Sequence, residues 1–147
     1  RSTADLTYRI YDWDRPVIDG RTLHVEKARK VVDVNSGCFH HSLPCLGDGQ
    51  RAVLAMALHF RLDLLALQHQ SITLPAGRGS FQTLTVTEGA VELVCGAQHM
   101  HLARLETAFI PAASPDCQIQ PLQKSQALMA SIPTLEESFK ALSGGLL

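Results

Sequence analysis

The sequence FQTLTVTEGAVEL, residues 81–93, predicts the class of fold. Apolar and polar residues alternate on both sides of Glu88-Gly89, and this alternation predicts two half-buried β-strands. Glutamate followed by glycine is a turn signal, because glycine adopts backbone conformations that other residues avoid. The stretch therefore predicts a β-hairpin, and with it a mainly β fold.

Short segments with a similar pattern extend on both sides of this hairpin and are separated by turn residues at fairly regular spacing. Such spacing indicates an antiparallel sandwich or barrel. Residues 52–67 could instead be helical by composition, since periodicity alone does not separate the two states. The predicted strands are 52–60, 62–67, 70–74, 81–88, 90–94, 99–102, 107–110, 117–119 and 126–132.

Two helices are predicted outside the β region. Apolar residues recur at helical spacing along one face of residues 25–34, with charged residues on the other face. A capping box at residues 134–137 and a glycine at position 144 predict a short helix over residues 135–142. Residues 35–49, rich in glycine, proline, serine and histidine, predict a long loop.

The bulk composition narrows the classes of function. The chain has 147 residues, a hydrophobic fraction of 46% and a formal net charge of −1, as expected for one soluble globular domain. This charge gives no reason to expect nucleic acid or an anionic membrane as a partner, and no apolar stretch approaches the ~20 residues of a membrane helix. Cys38, Cys45, Cys95 and Cys117 form no C-x-x-C pair, which predicts reduced thiols in a cytoplasmic protein.

Aromatic and charged residues concentrate near the start of the chain, in DLTYRIYDWDRP at residues 5–16. Residues 7–11 alternate and are rich in β-formers, which predicts a strand that ends at Asp14-Arg15-Pro16. A sugar phosphate is a dianion, and an arginine can bind it, or stabilise an enediolate, with paired donors. Arg15 is therefore the candidate catalytic residue. The alternative interpretation is a surface Asp14–Arg15 ion pair, which would contribute little.

Two stretches near the start resemble one enzyme family. Residues 7–15, TYRIYDWDR, and residues 21–28, RTLHVEKA, are similar to the segment that follows the metal-binding barrel in type I mannose-6-phosphate isomerases. These enzymes interconvert mannose 6-phosphate and fructose 6-phosphate through a cis-enediol, assisted by zinc. The resemblance implies that Arg15 is the family's catalytic arginine and that mannose 6-phosphate, or a similar sugar phosphate, is the substrate.

Residues 81–93 and 105–112 resemble the two signatures of a cupin, which implies a jelly-roll β-barrel with an N-proximal helix and a short C-terminal helix. In a metal-binding cupin, two histidines and an acid precede the hairpin glycine, and another histidine follows the proline. Here Gln82 holds the acid position, residues 75–78 replace the first histidines, and the last position falls near Asp116. Such metal ions require imidazole and carboxylate ligands, so this barrel is expected to bind no metal.

The remaining candidate ligands are weaker. His99 and His101 lie on one face of a predicted strand, as a metal site requires, but a cupin carries no ligand at this point, so exposed edge-strand histidines are the preferred interpretation. His40 and His41, beside two cysteines, could form a soft-metal cluster in a loop. Residues 77–80, GRGS, could contact a phosphate, although a turn between strands is preferred.

The resemblance divides the chain into two parts. Residues 1–50 would complete an upstream metal-binding cupin domain, and residues 51–147 would form a degenerate C-terminal cupin domain. The family's zinc ligands, a glutamine, a glutamate and two histidines, lie upstream of the motif and have no counterpart here. The leading hypothesis is therefore an isomerase fragment, inactive alone and catalytic with the upstream domain. The alternatives are a stand-alone cupin that binds a sugar or sugar phosphate, and a structural domain that forms homodimers.

Overall fold

The computed structural model describes residues 7–15, 22–35, 42–77 and 79–143. The chain divides into two compact units, Arg1–His41 and Ser42–Leu147. The described part of the first unit contains helix α1, Val25–Val31. In the second unit the elements are β1 (Gln50–Ala57), β2 (Phe60–Leu67), β3 (Ile72–Leu74), β4 (Gln82–Glu88), β5 (Ala90–Cys95), β6 (Gln98–Ala103), β7 (Thr107–Ile110), β8 (Cys117–Pro121), β9 (Ser125–Ser131) and α2 (Leu135–Ser143).

The nine strands of the second unit form two antiparallel sheets. The five-stranded sheet has the order β1-β2-β9-β4-β7, and the four-stranded sheet has the order β3-β8-β5-β6. The predicted mainly β jelly-roll with two helices is confirmed, and each of the nine strands predicted between residues 52 and 132 is present within three residues of its expected ends. The helical alternative for residues 52–67 is wrong, since β1 and β2 pair there as a hairpin. Neither described helix is long and apolar enough to cross a bilayer.

Alternation along the strands builds the core between the two sheets. Every second residue of the central strands points inward, so each sheet contributes one apolar face. The core residues are almost fully buried, and they come from strands of both sheets. They are Leu65, Leu67, Leu74, Leu84, Val86, Val91, Leu93, Leu102, Ala108, Ile110, Cys117, Ile119, Ala127 and Met129.

Gly89 carries the chain from one sheet to the other. The strands before and after it do not pair with each other: β4 pairs with β7 and β9, and β5 pairs with β6 and β8. The predicted hairpin at Glu88-Gly89 is therefore wrong, because a turn signal between two strands does not say whether they share a sheet. Gly89 has φ +75, and a Cβ there would overlap the carbonyl oxygen of Lys124 and lie 2.9 Å from the Cα of Ser125.

Replacing Gly89 with alanine is expected to lower the free energy of unfolding by about 2–3 kcal/mol, because positive φ and steric overlap act together. Two glycines serve as controls. Gly77 has φ +70 with nothing within 4 Å of its Cβ position, and Gly79 also has open space there. Urea denaturation should rank the losses Gly89→Ala, then Gly77→Ala, then Gly79→Ala. Equal losses at the first two positions would show that the overlap is relieved without cost.

The predicted strand over residues 7–11 is absent, and helix α1 is shorter than predicted. The Arg9 carbonyl accepts a hydrogen bond from the His24 N–H at 2.6 Å, and the Arg9 N–H donates to His24 Nδ1 at 3.4 Å. No strand lies beside this segment among the described residues, so the β-forming sequence builds no ladder. Helix α1 ends because Val32 has an extended conformation with ψ 129.

A disulfide links Cys95 of β5 to Cys117 of β8. The two residues are direct partners in the antiparallel register, and their Cα atoms are 4.2 Å apart. Directly opposed antiparallel residues approach closely enough for such a bridge. The expectation of four reduced thiols is therefore wrong for this pair. The spacing of cysteines in the sequence does not show that Cys95 and Cys117 are opposite each other in two paired strands. Cys45 is an exposed free thiol, and Cys38 lies outside the described residues.

Asp48 links the start of β1 to the residues that follow β2. Its carboxylate accepts hydrogen bonds from the backbone N–H groups of Gln68, His69 and Gln70 at 2.7–3.2 Å. Desolvation alone would raise the pKa of Asp48, but these three donors together lower it below the ordinary value of 3.8. The ionised carboxylate therefore stabilises the folded state.

The Asp48→Asn variant should have a lower Tm than wild type at pH 7, and the difference should shrink as the pH falls. The sign follows from the lowered pKa: the stabilisation is present above the unfolded-state value and is lost as the pH falls through the folded-state value. Thermal melts between pH 7 and pH 3 measure it. Glu88→Gln is the control, because exposed Glu88 accepts no hydrogen bond from described residues. A Tm difference for Asp48→Asn that is constant with pH would contradict this role.

Candidate functional site

The candidate catalytic segment of the first unit ends in a tight turn. The Arg15 N–H donates a hydrogen bond to the Asp12 carbonyl at 3.0 Å, which closes a four-residue turn. The two central residues, Trp13 and Asp14, both have φ +53, as in a type I′ turn. Two consecutive non-glycine residues with positive φ are uncommon, and such strain is concentrated at functional sites.

The side chain of Arg15 is exposed and has no ion-pair partner in the described part of the chain. The Asp14 carboxylate instead accepts a hydrogen bond from the Tyr11 hydroxyl at 3.5 Å, and Asp12 lies 4.0 Å from Arg9. The described residues therefore do not form the surface Asp14–Arg15 ion pair of the alternative interpretation. An unpaired guanidinium keeps its donors available for an anionic ligand.

Two aromatic residues, Tyr11 and Trp13, lie in the same segment of the chain as Arg15. The rings of Tyr11 and Trp13 have centroids 5.7 Å apart and are tilted by 55°. Trp13 is 77% exposed, although a tryptophan in a globular protein is usually largely buried. Trp13 and Arg15 are therefore both exposed residues of this turn, one with an aromatic ring and the other with a cationic group.

The positions aligned with cupin metal ligands lie around the ends of strands in the second unit. Gln82 begins β4, and its Oε1 is buried without a hydrogen-bond partner among the described residues. Asp116 precedes β8, and its Oδ1 accepts a hydrogen bond from the Ala76 N–H at 2.6 Å. Its carboxylate therefore holds the loop after β3. Arg78 lies outside the described residues.

No three histidine, cysteine, aspartate or glutamate side chains of the described residues form a group that could hold a metal ion. His99 and His101 are exposed on β6, an edge strand, as the preferred interpretation predicted. Glu92 is the direct register partner of His101, and its Oε1 lies 3.3 Å from His99 Nδ1. His40 and His41 lie outside the described residues, so the proposed soft-metal cluster there stays a prediction.

Sequence reasoning missed a buried charge cluster. Asp63 of β2 is fully buried. It accepts hydrogen bonds from Arg51 Nη2 at 2.8 Å and from Arg61 Nε and Nη2 at 3.0–3.1 Å. Arg61 also donates to Glu137 at the start of α2. A signal was present: arginine and aspartate two apart in a strand lie on one face, and that face is otherwise apolar.

The charges of this cluster stabilise one another. Hydrogen bonding to Asp63 is the main cause that raises the pKa of Arg61. The Thr134 N–H, followed by the charge of Arg61, lowers the pKa of Glu137. Thr134 and Glu137 also form the predicted capping box, with reciprocal hydrogen bonds of 2.8 and 3.2 Å. The cluster therefore links α2 to the β1–β2 hairpin. Both of its arginines form ion pairs with carboxylates.

A cavity of about 350 Å³ lies between the edge strands of the two sheets, β6 and β7. Its walls are mostly apolar, with three polar side chains, and no lysine or arginine of the described residues lines it. A phosphate dianion would therefore find no cationic partner there. The lining residues are Leu93, Cys95, Gln98, His99, Met100, Phe109, Ile110, Pro111 and Ser114.

Comparison with known proteins identifies the fold. A cupin-2 domain protein from Shewanella frigidimarina is similar with a TM-score of 0.53 and 12% identity, over 60% of this chain and 85% of that one. A cupin superfamily protein from Desulfitobacterium hafniense gives 0.53 and 13%, over 62% and 84%. An RmlC-like cupin protein from Desulfovibrio desulfuricans gives 0.51 and 14%, over 64% and 95%. The second unit therefore has the cupin fold.

No family model matches the sequence, and no curated protein matches it. At 12–14% identity the likeness to these solved structures concerns the fold alone.

Proposed function

We propose that this chain is the C-terminal part of a type I mannose-6-phosphate isomerase and becomes catalytic when it is joined to an upstream metal-binding cupin domain. The observation that carries the proposal is the Asp12–Arg15 turn, in which Trp13 and Asp14 have positive φ and Arg15 is exposed, with no ion-pair partner among the described residues. It lies in the motif TYRIYDWDR, which resembles the arginine segment of that family.

The proposed reaction moves a proton between C1 and C2 of the sugar phosphate, through a cis-enediol. Negative charge develops on the substrate oxygens during this step. A guanidinium donates two parallel hydrogen bonds to such oxygens, and donors fixed beforehand are the main source of this kind of stabilisation. Arg15 would supply these donors or hold the phosphate, and Trp13 would cover one face of the sugar.

The described residues of this chain do not fit a zinc site, so no step of the reaction is assigned to a metal bound here. In the proposal, zinc is held by the upstream domain, residues 1–50 complete that domain, and residues 51–147 form the degenerate cupin. Two observations support a non-catalytic second unit. Its interior is filled by apolar side chains, and the arginines of its buried cluster are paired with Asp63 and Glu137.

Reconstitution tests the proposal. The chain is joined to the metal-binding cupin domain of a type I isomerase, zinc is added, and conversion of mannose 6-phosphate to fructose 6-phosphate is followed in a coupled assay. We expect activity that requires the chain, the added domain and zinc together. The chain alone with zinc should be inactive. If the joined protein binds zinc and folds but does not isomerise the substrate, the proposal is wrong.

The second candidate function is a stand-alone cupin that binds a sugar or sugar phosphate. The cavity between β6 and β7 favours it, because Gln98, His99 and Ser114 add polar groups to apolar walls, as in many small-molecule sites. NMR titration of the chain with mannose and with mannose 6-phosphate separates the two candidates. Shifts at these three residues at millimolar ligand would support the stand-alone binder, and no shifts would favour the isomerase part.

A further inference from the structure

Strand β6 is an edge of the four-stranded sheet and lacks the features that usually protect such an edge. Natural edge strands are short, bulged, or interrupted by proline or charged side chains, since their free backbone groups otherwise pair with other chains. β6 has six residues, Gln98–Ala103, with no proline, lysine, arginine, aspartate or glutamate, and its register with β5 does not shift. It is therefore open to pairing with a further strand.

The other three edge strands of the two sheets are protected in these ways. β1 carries Arg51, and it has an irregularity where its register with β2 shifts between Val53 and Ala55. β3 has three residues and is followed by Pro75, and β7 has four residues and is followed by Pro111. Among the described strands, β6 is thus the edge that lacks such protection.

The backbone groups of His99 and His101 point away from β5. Directly opposed residues of an antiparallel pair alternate between those that exchange hydrogen bonds and those that do not. Ala103 belongs to the second kind: its N–H donates to Glu106 Oε2 at 2.8 Å, and its carbonyl accepts from the Glu106 N–H at 3.0 Å. His101 and His99, two and four residues earlier, share this direction. Their backbone N–H and carbonyl groups have no hydrogen-bond partner among the described residues.

The cavity between β6 and β7 lies beside this free edge. Met100 is opposite Leu93 in the register, so both side chains are on the inner face of the sheet. Leu93 is 4% exposed but Met100 is 49% exposed, because no described strand continues the sheet beyond β6. The cavity of about 350 Å³ is mostly apolar, and no described lysine, arginine, aspartate or glutamate lines it. A strand added to β6 would direct every second side chain toward this space.

We propose that β6 binds an extended peptide, which adds a fifth strand to the four-stranded sheet and places one apolar side chain in the cavity. In strand addition, main-chain hydrogen bonds give affinity and pockets for alternate side chains give specificity. The free groups of His99 and His101 would pair with the peptide residues opposite them. The peptide residue opposite Met100 would enter the cavity, where an aliphatic or aromatic side chain is favoured because a charge would have no partner.

A single extended peptide fits this edge better than a second copy of the chain. A copy that paired through its own β6 would also bring its β7 against the β7 of the first, because both edges lie on the same side of the sandwich. A peptide needs no such space. The free ladder is also short, since Glu106 already holds the backbone of Ala103. This inference is independent of the proposed isomerase function.

NMR titration of the ¹⁵N-labelled full chain tests the proposal. The probe is the pentapeptide threonine-valine-leucine-valine-threonine, acetylated and amidated, at up to about 4 mM, since a few ladder bonds and one buried side chain should give a millimolar Kd. Its leucine would lie opposite Met100. We expect amide shifts at His99 and His101 and, across the cavity, at Ile110 and Ser114. At about four times Kd, amide exchange at both histidines should slow about fivefold, by the factor 1 + [L]/Kd.

Two altered peptides separate the contributions to binding. N-methylation of both valines removes the N–H groups that would donate to the carbonyls of His99 and His101. Aspartate in place of leucine would put a charge in the apolar cavity. Each change should weaken binding at least about tenfold. An N-methylated peptide that binds as well as the original would overturn the proposal, because ladder pairing would then have no part in binding.

A matched pair of variants tests the same ladder on the chain. His101→Pro removes the outward N–H without the loss of a β5–β6 hydrogen bond, and proline is tolerated at such edge positions. His101→Ala keeps this N–H and loses only the imidazole. We expect His101→Ala to bind the peptide like wild type and His101→Pro to bind it at least about tenfold more weakly. Equal losses in the two folded variants would contradict ladder pairing.

The altered peptides keep the test decisive if His101→Pro does not fold, because they use the wild-type chain. Wild type that shows no shifts at the highest peptide concentration overturns the proposal. Dilution of the chain without peptide tests the other occupant. Concentration-dependent shifts at the His99 and His101 amides would show that a second copy pairs with β6, and this result would also overturn the proposal.

Discussion

Replacing Asp63 with alanine is expected to lower the free energy of unfolding by about 2–3 kcal/mol, because the partly exposed Arg51 and Arg61 lose the buried carboxylate that accepts their hydrogen bonds. Asp63 is fully buried and accepts hydrogen bonds from both Arg51 and Arg61. Arg51 would then have no ion-pair partner among the described residues, whereas Arg61 would keep Glu137. The loss should also loosen α2, since Arg61 is the residue that joins Asp63 to Glu137.

Chemical denaturation of wild type and Asp63→Ala measures this loss. Asp116→Ala is a suitable control, because Asp116 is exposed and accepts one backbone hydrogen bond, so its loss should be about 1 kcal/mol. A double variant, Asp63→Leu with Arg61→Leu, should recover part of the stability, because it removes the buried carboxylate together with one of its two cations. A loss below about 1 kcal/mol for Asp63→Ala would contradict this role and would show that water at the partly exposed arginines replaces the carboxylate.

Replacing Arg15 with alanine is expected to lower the kcat of the reconstituted isomerase by about 100-fold to 1,000-fold, the usual effect of removing a fixed donor to a developing oxyanion. Arg15→Lys should keep a small part of the rate, because lysine retains the charge without the paired donors. Arg29→Ala is the control, since Arg29 is an exposed arginine of the same unit and pairs with Glu26 among the described residues. It should leave kcat unchanged.

The kinetic constants also separate two roles for Arg15. A fall in kcat at constant KM assigns the guanidinium to the enediolate, whereas a rise in KM at constant kcat assigns it to the phosphate. Equal rates for wild type and Arg15→Ala, in a protein that folds and binds zinc, would show that Arg15 takes no part in catalysis.

Much of the fold could be predicted from periodicity, because one face of each central strand is buried and the other is not. The strand Gln82–Glu88 is an example, with its buried residues at every second position. Pairing was harder. Glu88-Gly89 gave the same local signal for a hairpin as for a crossing between sheets, and the long-range pairing of β4 and β5 with different strands distinguishes them. The Cys95–Cys117 bridge depends on the same long-range register.

The candidate site was only partly accessible from the sequence. Arg15 was found through its motif, but the strain of the turn at Trp13-Asp14 cannot be derived from residue types, because neither residue is a glycine. The predicted strand over residues 7–11 failed because β-forming residues need a neighbouring strand as well as propensity. Asp63 was missed because charged residues in strands usually face water.

The rate of mannose 6-phosphate isomerisation by the metal-binding domain, with and without this chain at equal zinc, tests the proposed isomerase function. We expect a rate well above background only when the two are joined, and a loss of that rate when zinc is removed by a chelator. A metal-binding domain that is equally active without the chain, or a joined protein that is folded, zinc-loaded and inactive, would contradict it.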